Sequence, residues 1–326
     1  MNSSTRIARR SSLGGLLRPL SALLLCLAAA AFLAAGCGRR ETAAVVIYTS
    51  QDEEFAEPIL REFKRETGIE ARPVYDSEAV KTVGLVNRLL TERNNPQCDV
   101  FWNNEEFRTR QLAARGVFRQ SNGWTRLGYR TRRIVINTNF LTAAAAPRAF
   151  RDATNAAWRG KLALAYPLFG TTATHFHALR QHWGDGAWQN WCRALAANKP
   201  FLVDGNSVVV KMVSRGEAWF GFTDSDDIAG AQREGFPVAP LPVTDETLFI
   251  PNTVGVIRNC PHPAAAERLY EYLSNAKVSE KLVEARALEG AALDPATAAR
   301  GLTVDWEQLL RDLDAVTGET KEIFLR

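Results

Sequence analysis

The stretch Trp219-Phe220-Gly221-Phe222-Thr223-Asp224-Ser225-Asp226-Asp227 runs an apolar strand directly into three carboxylates. Clustered oxygen ligands suit a hard cation, and acids at the carboxyl end of a strand in an α/β domain face the crevice where ligands bind. Asp and Ser are also turn and cap residues, so Ser225 or Asp226 capping a helix near Ile228 remains a second reading. Other strand ends carry similar groups. Ser50-Gln51-Asp52 follows Val45–Tyr48, and Asn103-Asn104-Glu105-Glu106 follows Asp99–Trp102. In Gly170-Thr171-Thr172 and Gly205-Asn206-Ser207, small hydroxyl and amide residues open helices, where outward-pointing N–H groups suit an anion. Simple capping explains the same residues equally well. The chain lacks a Ser-His-Asp order, a metal-binding His pair and a Gly-rich phosphate loop, so a periplasmic metal-dependent hydrolase is the less favoured class. No cofactor motif is present.

The elements that position these groups alternate between strand and helix. Val45–Tyr48 reads as a buried strand, and Phe55, Ile59, Leu60 and Phe63 as the apolar stripe of a helix ending near Gly68. Strands are expected at Ile69–Tyr75, Asp99–Trp102 and Arg130–Asn137, after which the alanine run Ala143–Ala146 with Pro147 reads as a surface linker. A second set follows, with strands at Leu162–Ala165, Trp219–Asp224 and Phe249–Ile257. Such alternation predicts parallel α/β layers.

The 326 residues carry a formal charge of +4, but Arg6, Arg9, Arg10 and Arg18 lie in the first 36 residues, which hold no acid, so the remainder is balanced. Without a basic run after Arg40, nucleic acid is excluded as a partner. The basic start, the apolar run Leu20–Ala35 and Gly36-Cys37 read as a secretory signal, the run being short of the about 20 residues a membrane span needs. Leu33-Ala34-Ala35-Gly36-Cys37 resembles a bacterial lipobox with Cys37 as the lipidated residue, although its leucine stands one place further from the cysteine than is common. Plain cleavage and an uncleaved anchor remain open. Only Cys98, Cys192 and Cys260 follow, allowing at most one disulfide.

Val46-Ile47-Tyr48-Thr49-Ser50, Phe63 to Ile69, Asp99-Val100-Phe101-Trp102, Gly160-Lys161 and Ile250-Pro251-Asn252-Thr253 before Pro261-His262-Pro263 resemble, in order and spacing, the bacterial extracellular solute-binding proteins of ABC importers. The branch is the one containing the periplasmic ferric-binding proteins. The resemblance implies a two-lobed periplasmic-binding-protein-like type II α/β fold with crossover strands and an interlobe cleft. It also implies a monomeric receptor rather than an enzyme, periplasmic or at the cell surface and anchored by lipid, partnered by a permease and an ATPase. Delivery to a sensor kinase remains open. Expected boundaries are residues 1–36 for the signal, 37–133 for the first part of lobe 1, 134–224 for lobe 2, and 225–326 for the return to lobe 1 with C-terminal helices. The crossings are expected near Ile134–Asn137 and Phe220–Asp224. The ferric branch grips iron with a histidine, an acid and paired tyrosines. Here Asp52 stands at the histidine position, Glu105 near the acid, and Asp224-Ser225-Asp226-Asp227 in the region of the tyrosines. The expected metal ligands are therefore Asp52, Glu105, Asp224 and Asp226, holding ferric iron or another hard cation. Ser50, Asn103, Thr171, Thr172, Asn206 and Ser207 complete the expected site. A small phosphorylated or phosphonate anion is the alternative ligand.

Overall fold

Each buried strand of this protein feeds a helix through a short polar turn, and the first unit shows why. In the computed structural model, which describes residues 44–76, 83–119 and 123–325, strand β1 (Ala44–Thr49) leads through Asp52 into helix α1 (Glu53–Thr67). The helix buries Phe55, Ala56, Ile59, Leu60 and Phe63 along one stripe. It stops at Gly68, whose φ of 72° is left-handed and whose N–H returns to the Lys64 carbonyl. Strands β2 (Glu70–Tyr75) and β3 (Val100–Asn103) flank β1 in parallel, with α2 (Val83–Glu92) between them in sequence and α3 (Glu106–Ala114) after β3.

Strand β4 (Trp124–Asn137) is longer than expected and joins two ladders. Its first half, through Thr131, pairs with β9 (Phe249–Val256), which also borders β3. From Arg132 onward it pairs instead with β7 (Phe220–Asp224) and, at its end, with β8 (Val238–Pro240). Beyond β7 lie β5 (Leu162–Ala165) and β6 (Phe201–Val203), both parallel to their neighbours. The strand order is thus β2-β1-β3-β9-β4-β7-β5-β6, with one strand carried through both halves.

The crossing expected at Phe220–Asp224 is corrected by this pairing, because β7 has ladder partners on both sides within the second half. The chain stays there through α7 (Ser225–Arg233) and β8, and returns only at β9. A strand flanked on both edges reads as a continuous apolar run whichever half it serves, so its sequence does not distinguish a crossing strand from a central one.

Side-chain alternation builds the cores. Ile134, Ile136, Leu162, Leu164, Phe220 and Phe222 point to one face of the second half, while Val135, Ala163 and Ala165 point to the other. On that second face α6 (Asn206–Ser214) lies close against the sheet. A Cβ on Gly221 would stand 2.4 Å from Val209 Cγ1, so only glycine admits the approach. On the first face lie α4 (Gly170–Trp183) and α5 (Asp185–Ala197), which contribute Phe176, Leu179, Trp188 and Leu195. Helices α8 (Pro263–Leu273) and α9 (Ala276–Glu284) cover the first half, and the short α10 (Pro295–Ala298) follows. Helix α11 (Trp306–Phe324), expected with the first lobe, instead buries Leu309, Leu313, Val316 and Phe324 in the core of the second half.

All described residues belong to one unit, Ala43–Arg326, and among them no helix is long and apolar enough to cross a membrane. Cys98, Cys192 and Cys260 are buried free thiols. The signal segment and Cys37 lie outside the described residues.

Candidate functional site

The register of the β4–β7 ladder sets Arg132 directly opposite Asp224, and Arg130 two residues back reaches the same carboxylate. Arg132 Nη1 donates to Asp224 Oδ1 at 2.7 Å, and Arg130 Nη2 stands 3.1 Å from Oδ2. Thr171 Oγ1 at 2.7 Å and Asn206 Nδ2 at 3.1 Å also donate to Oδ2. Burial alone would raise the Asp224 pKa, but the two guanidinium groups outweigh it and hold the carboxyl below its usual range. Arg130 also donates to Asp226 in the first turn of α7. Despite its own desolvation, Arg130 is held more firmly protonated than a free arginine by Asp226 and Asp224. Arg130 and Arg132 are 3% and 0% exposed, so both cations are inside the protein.

Above this ion-paired floor the carboxyl ends of strands from both halves meet at an open pocket. Asp52 and Asn104 enter from the first half, and Thr171, Thr172, Asp204 and Asn206 from the second. Two helices begin on its wall. Helix α4 starts after Phe169 and α6 after Gly205, and neither of these residues offers a side-chain cap. The first N–H groups of a helix lack intrahelical partners, so these two amino ends present donors and partial positive charge. Asn206 ties the ends together, donating to Thr171 Oγ1 at 3.0 Å and accepting from Thr172 Oγ1 at 3.3 Å. Arg130 lines the same pocket, and its buried Nε has no hydrogen-bond partner among the described residues.

A second chamber of about 220 Å³ adjoins the first, sharing Asp52 and Asp227 with it. Ser207, Asp226 and Phe236 also line it. The carboxylates of Asp224, Asp226 and Asp227 each offer an oxygen within 4.8 Å of the others.

Of the residues singled out from sequence, Asp52, Thr171, Thr172, Asn206 and Asp224 line the first pocket, and Ser207 and Asp226 the second. Ser50 and Asn103 line neither. They form a buried network in which Ser50 Oγ donates to Asn103 Oδ1 at 2.6 Å and accepts from Asn104 N at 2.9 Å, which steers Asn104 toward the pocket. Glu105 also lies outside both linings. Its carboxylate caps α3, accepting from Phe107 N at 2.7 Å and Arg108 N at 3.1 Å. Burial pushes its pKa up to about 7 even though Arg108 and these amides favour ionisation.

Sequence reasoning missed Arg130 and Arg132. Arg130 and Arg132 stand at alternate positions of β4 and so share one face, and charges inside a strand that runs on into Ile134-Val135-Ile136 need partners, which was an available signal.

Comparison with solved structures places the fold. AfuA from Actinobacillus pleuropneumoniae, with exogenous fructose-6-phosphate bound, matches with a TM-score of 0.75 at 16% identity, over 87% of this chain and 99% of that one. Iron-bound HitA from Pseudomonas aeruginosa matches with a TM-score of 0.74 at 15% identity, over 85% and 99%. The apo ferric ion-binding protein A of Pasteurella haemolytica matches at 0.72 and 18% identity, over 86% and 97%. The fold is therefore the two-lobed type II periplasmic-binding fold, with β4 and β9 linking its halves. The model of the bacterial extracellular solute-binding proteins matches residues 45–285, and the chain belongs to that family.

Proposed function

We propose that this protein is the extracytoplasmic receptor of an ABC importer for a small phosphorylated or phosphonate anion. Membership of the family implies a permease, an ATPase and a small solute. The observation that carries the choice of anion is the pair of uncapped helix amino ends, α4 and α6, opening on one pocket beside Arg130. Such an arrangement offers several preorganised N–H donors, threonine hydroxyls and a guanidinium to phosphoryl oxygens. AfuA, which has the same fold, is named with a sugar phosphate.

Ferric iron is the second reading, favoured by the grouped oxygens of Asp224, Asp226 and Asp227 and by the iron named with HitA. The arginines weigh against it. Asp224 and Asp226 already neutralise Arg130 and Arg132, and a trivalent cation brought to the same carboxylates would meet two fixed positive charges in a low-dielectric site. In this reading of the molecule the four acids once expected as ligands divide into a structural cap, Glu105, an arginine-paired floor, Asp224 and Asp226, and the pocket rim, Asp52. Residues 1–36 act as the secretory signal, and Cys37 carries the lipid that holds the receptor at the membrane.

Isothermal titration of the purified mature chain with glycerol 3-phosphate and, separately, ferric citrate tests the choice. Binding of the phosphate ester that Arg130→Met abolishes is expected. Uptake of iron, lost in Asp224→Asn and Asp226→Asn, with no response to any phosphate ester, would reverse it.

A further inference from the structure

Strands β4 and β9 link the two halves, so a motion about them opens or closes the space between. Away from these strands, one side chain of the second half reaches across to the first. Arg233 ends α7, a helix whose Ile228 is packed in the second half. An arginine in a last turn is already well placed beside the carbonyls of its own helix end. This one instead meets three groups of the first half. Its Nη1 donates to the Ala285 carbonyl at 3.0 Å, its guanidinium carbon stands 5.7 Å from the centre of the Phe55 ring, and its Nη2 is 3.9 Å from Glu54 Oε1. Glu54 and Phe55 belong to the first turn of α1, and Ala285 caps α9.

The receiving surface suits a guanidinium. Ala285 N–H returns to the Lys281 carbonyl, and Arg286, with a left-handed φ of 60°, turns the chain away from the helix axis. The closing carbonyls of a helix lack intrahelical partners and carry partial negative charge, which favours a cation there. Phe55 is held in the core of the first half, so its ring is a fixed wall. Of the three contacts the ion pair with Glu54 is the weakest, being long and exposed. The hydrogen bond to the helix end and the ring contact carry the attachment. A second contact to the same segment lies on a linking strand itself, where Arg133 Nη2 donates to Glu289 Oε2 at 3.2 Å. Arg233 and Ala285 stand on separate elements off those strands, so parting the halves has to break their contact. We propose that Arg233 is a clasp that fastens α7 to α1 and to the end of α9, holding the halves closed independently of the solute and slowing its release. Arg233 lines neither the anion pocket nor the adjoining chamber, so the clasp does not depend on which solute is bound.

Stopped-flow tryptophan fluorescence of the mature chain with glycerol 3-phosphate tests the clasp in Arg233→Ala and Arg233→Lys, both verified as folded by circular dichroism. Release is expected to be about tenfold faster in Arg233→Ala, the scale of one hydrogen bond to a charged group, with association no slower. Arg233→Lys should fall between, since it keeps a charge for the helix end and loses the planar group beside Phe55. An unchanged release rate, or a loss of affinity carried by slower association, would overturn the clasp. Small-angle X-ray scattering gives a reading without any solute. The solute-free Arg233→Ala chain is expected to show a larger radius of gyration than the wild type, and equal radii would refute fastening that is independent of solute. A chain that binds ferric citrate and not glycerol 3-phosphate would end the anion reading alone. The same release comparison made with ferric citrate then decides the clasp, faster release in Arg233→Ala supporting it and an unchanged rate overturning it.

Discussion

Asp224→Asn removes one charge from a buried cluster and almost nothing else, since the amide keeps the shape of the side chain. Arg130 retains Asp226, but Arg132, 0% exposed, loses the only carboxylate among the described residues within ion-pair distance of it. The new amide group also turns donors toward guanidinium N–H groups that need an acceptor. Breaking a buried pair by removing one partner costs about 3–5 kcal/mol, a large share of the roughly 5–15 kcal/mol that stabilises a typical protein. Urea unfolding of the mature chain, followed by far-ultraviolet circular dichroism, should therefore show a clear fall in midpoint. Arg132→Met should be costly too, because it leaves Asp224 with Arg130 alone. The double variant should recover part of the loss, giving a coupling energy of about 1–3 kcal/mol for residues in contact. A loss below about 1 kcal/mol in Asp224→Asn, with single effects that simply add, would refute the claim that the floor of the pocket is held by this ion pair.

Three further outcomes are expected. Glu105 is buried, with its pKa raised to about 7 from 4.5, so the folded state binds the proton more tightly than the unfolded chain and stability should rise as pH falls from about 7 toward 4.5. Glu105→Gln, which keeps an acceptor for the α3 amides, should flatten that slope in urea melts taken between pH 5 and 8, and an unchanged slope would reject the assignment. Gly221→Ala places a methyl group 2.4 Å from Val209 Cγ1 and should lower stability by about 1–3 kcal/mol, whereas unchanged thermal unfolding would show that α6 yields. Cys37→Ser should abolish incorporation of labelled palmitate and release the protein from membranes; a wild-type chain that takes up no label would dismiss the lipid anchor.

Strand–turn–helix order was legible because its signals are local. The stripe of Phe55, Ile59, Leu60 and Phe63 and the stop at Gly68 both follow from residues within one helix. Partnership between distant segments was not legible in the same way. Phe220–Asp224 has the composition of any doubly flanked strand, and only the register with Arg132–Ile136 reveals that it stays in the second half. The site divides along the same line. Asp52, Thr171, Thr172 and Asn206 were reachable because strand and helix ends converge by the geometry of the fold class. The capping role of Glu105 was not legible, because a capping carboxylate and a ligand carboxylate occupy the same place after a strand and only its bonds to Phe107 N and Arg108 N mark it as a cap.

The arginines change the meaning of the acids more than any displaced element does. Three aspartates counted alone describe a cation site, and the sequence stretch that contains them holds nothing of opposite charge. The compensating charges come from β4, over 90 residues earlier, and reach Asp224 and Asp226 only through the antiparallel register. Once those contacts form, the carboxylates fix Arg130 at the pocket wall with a buried Nε still unpartnered, so the acids act as supports for a cation of the protein itself. A cluster of like charges in a cleft is therefore read by its net charge after pairing. Here that net charge is close to neutral at the floor, where Asp224 and Asp226 meet Arg130 and Arg132, and the helix amino ends beside it present partial positive charge to the pocket.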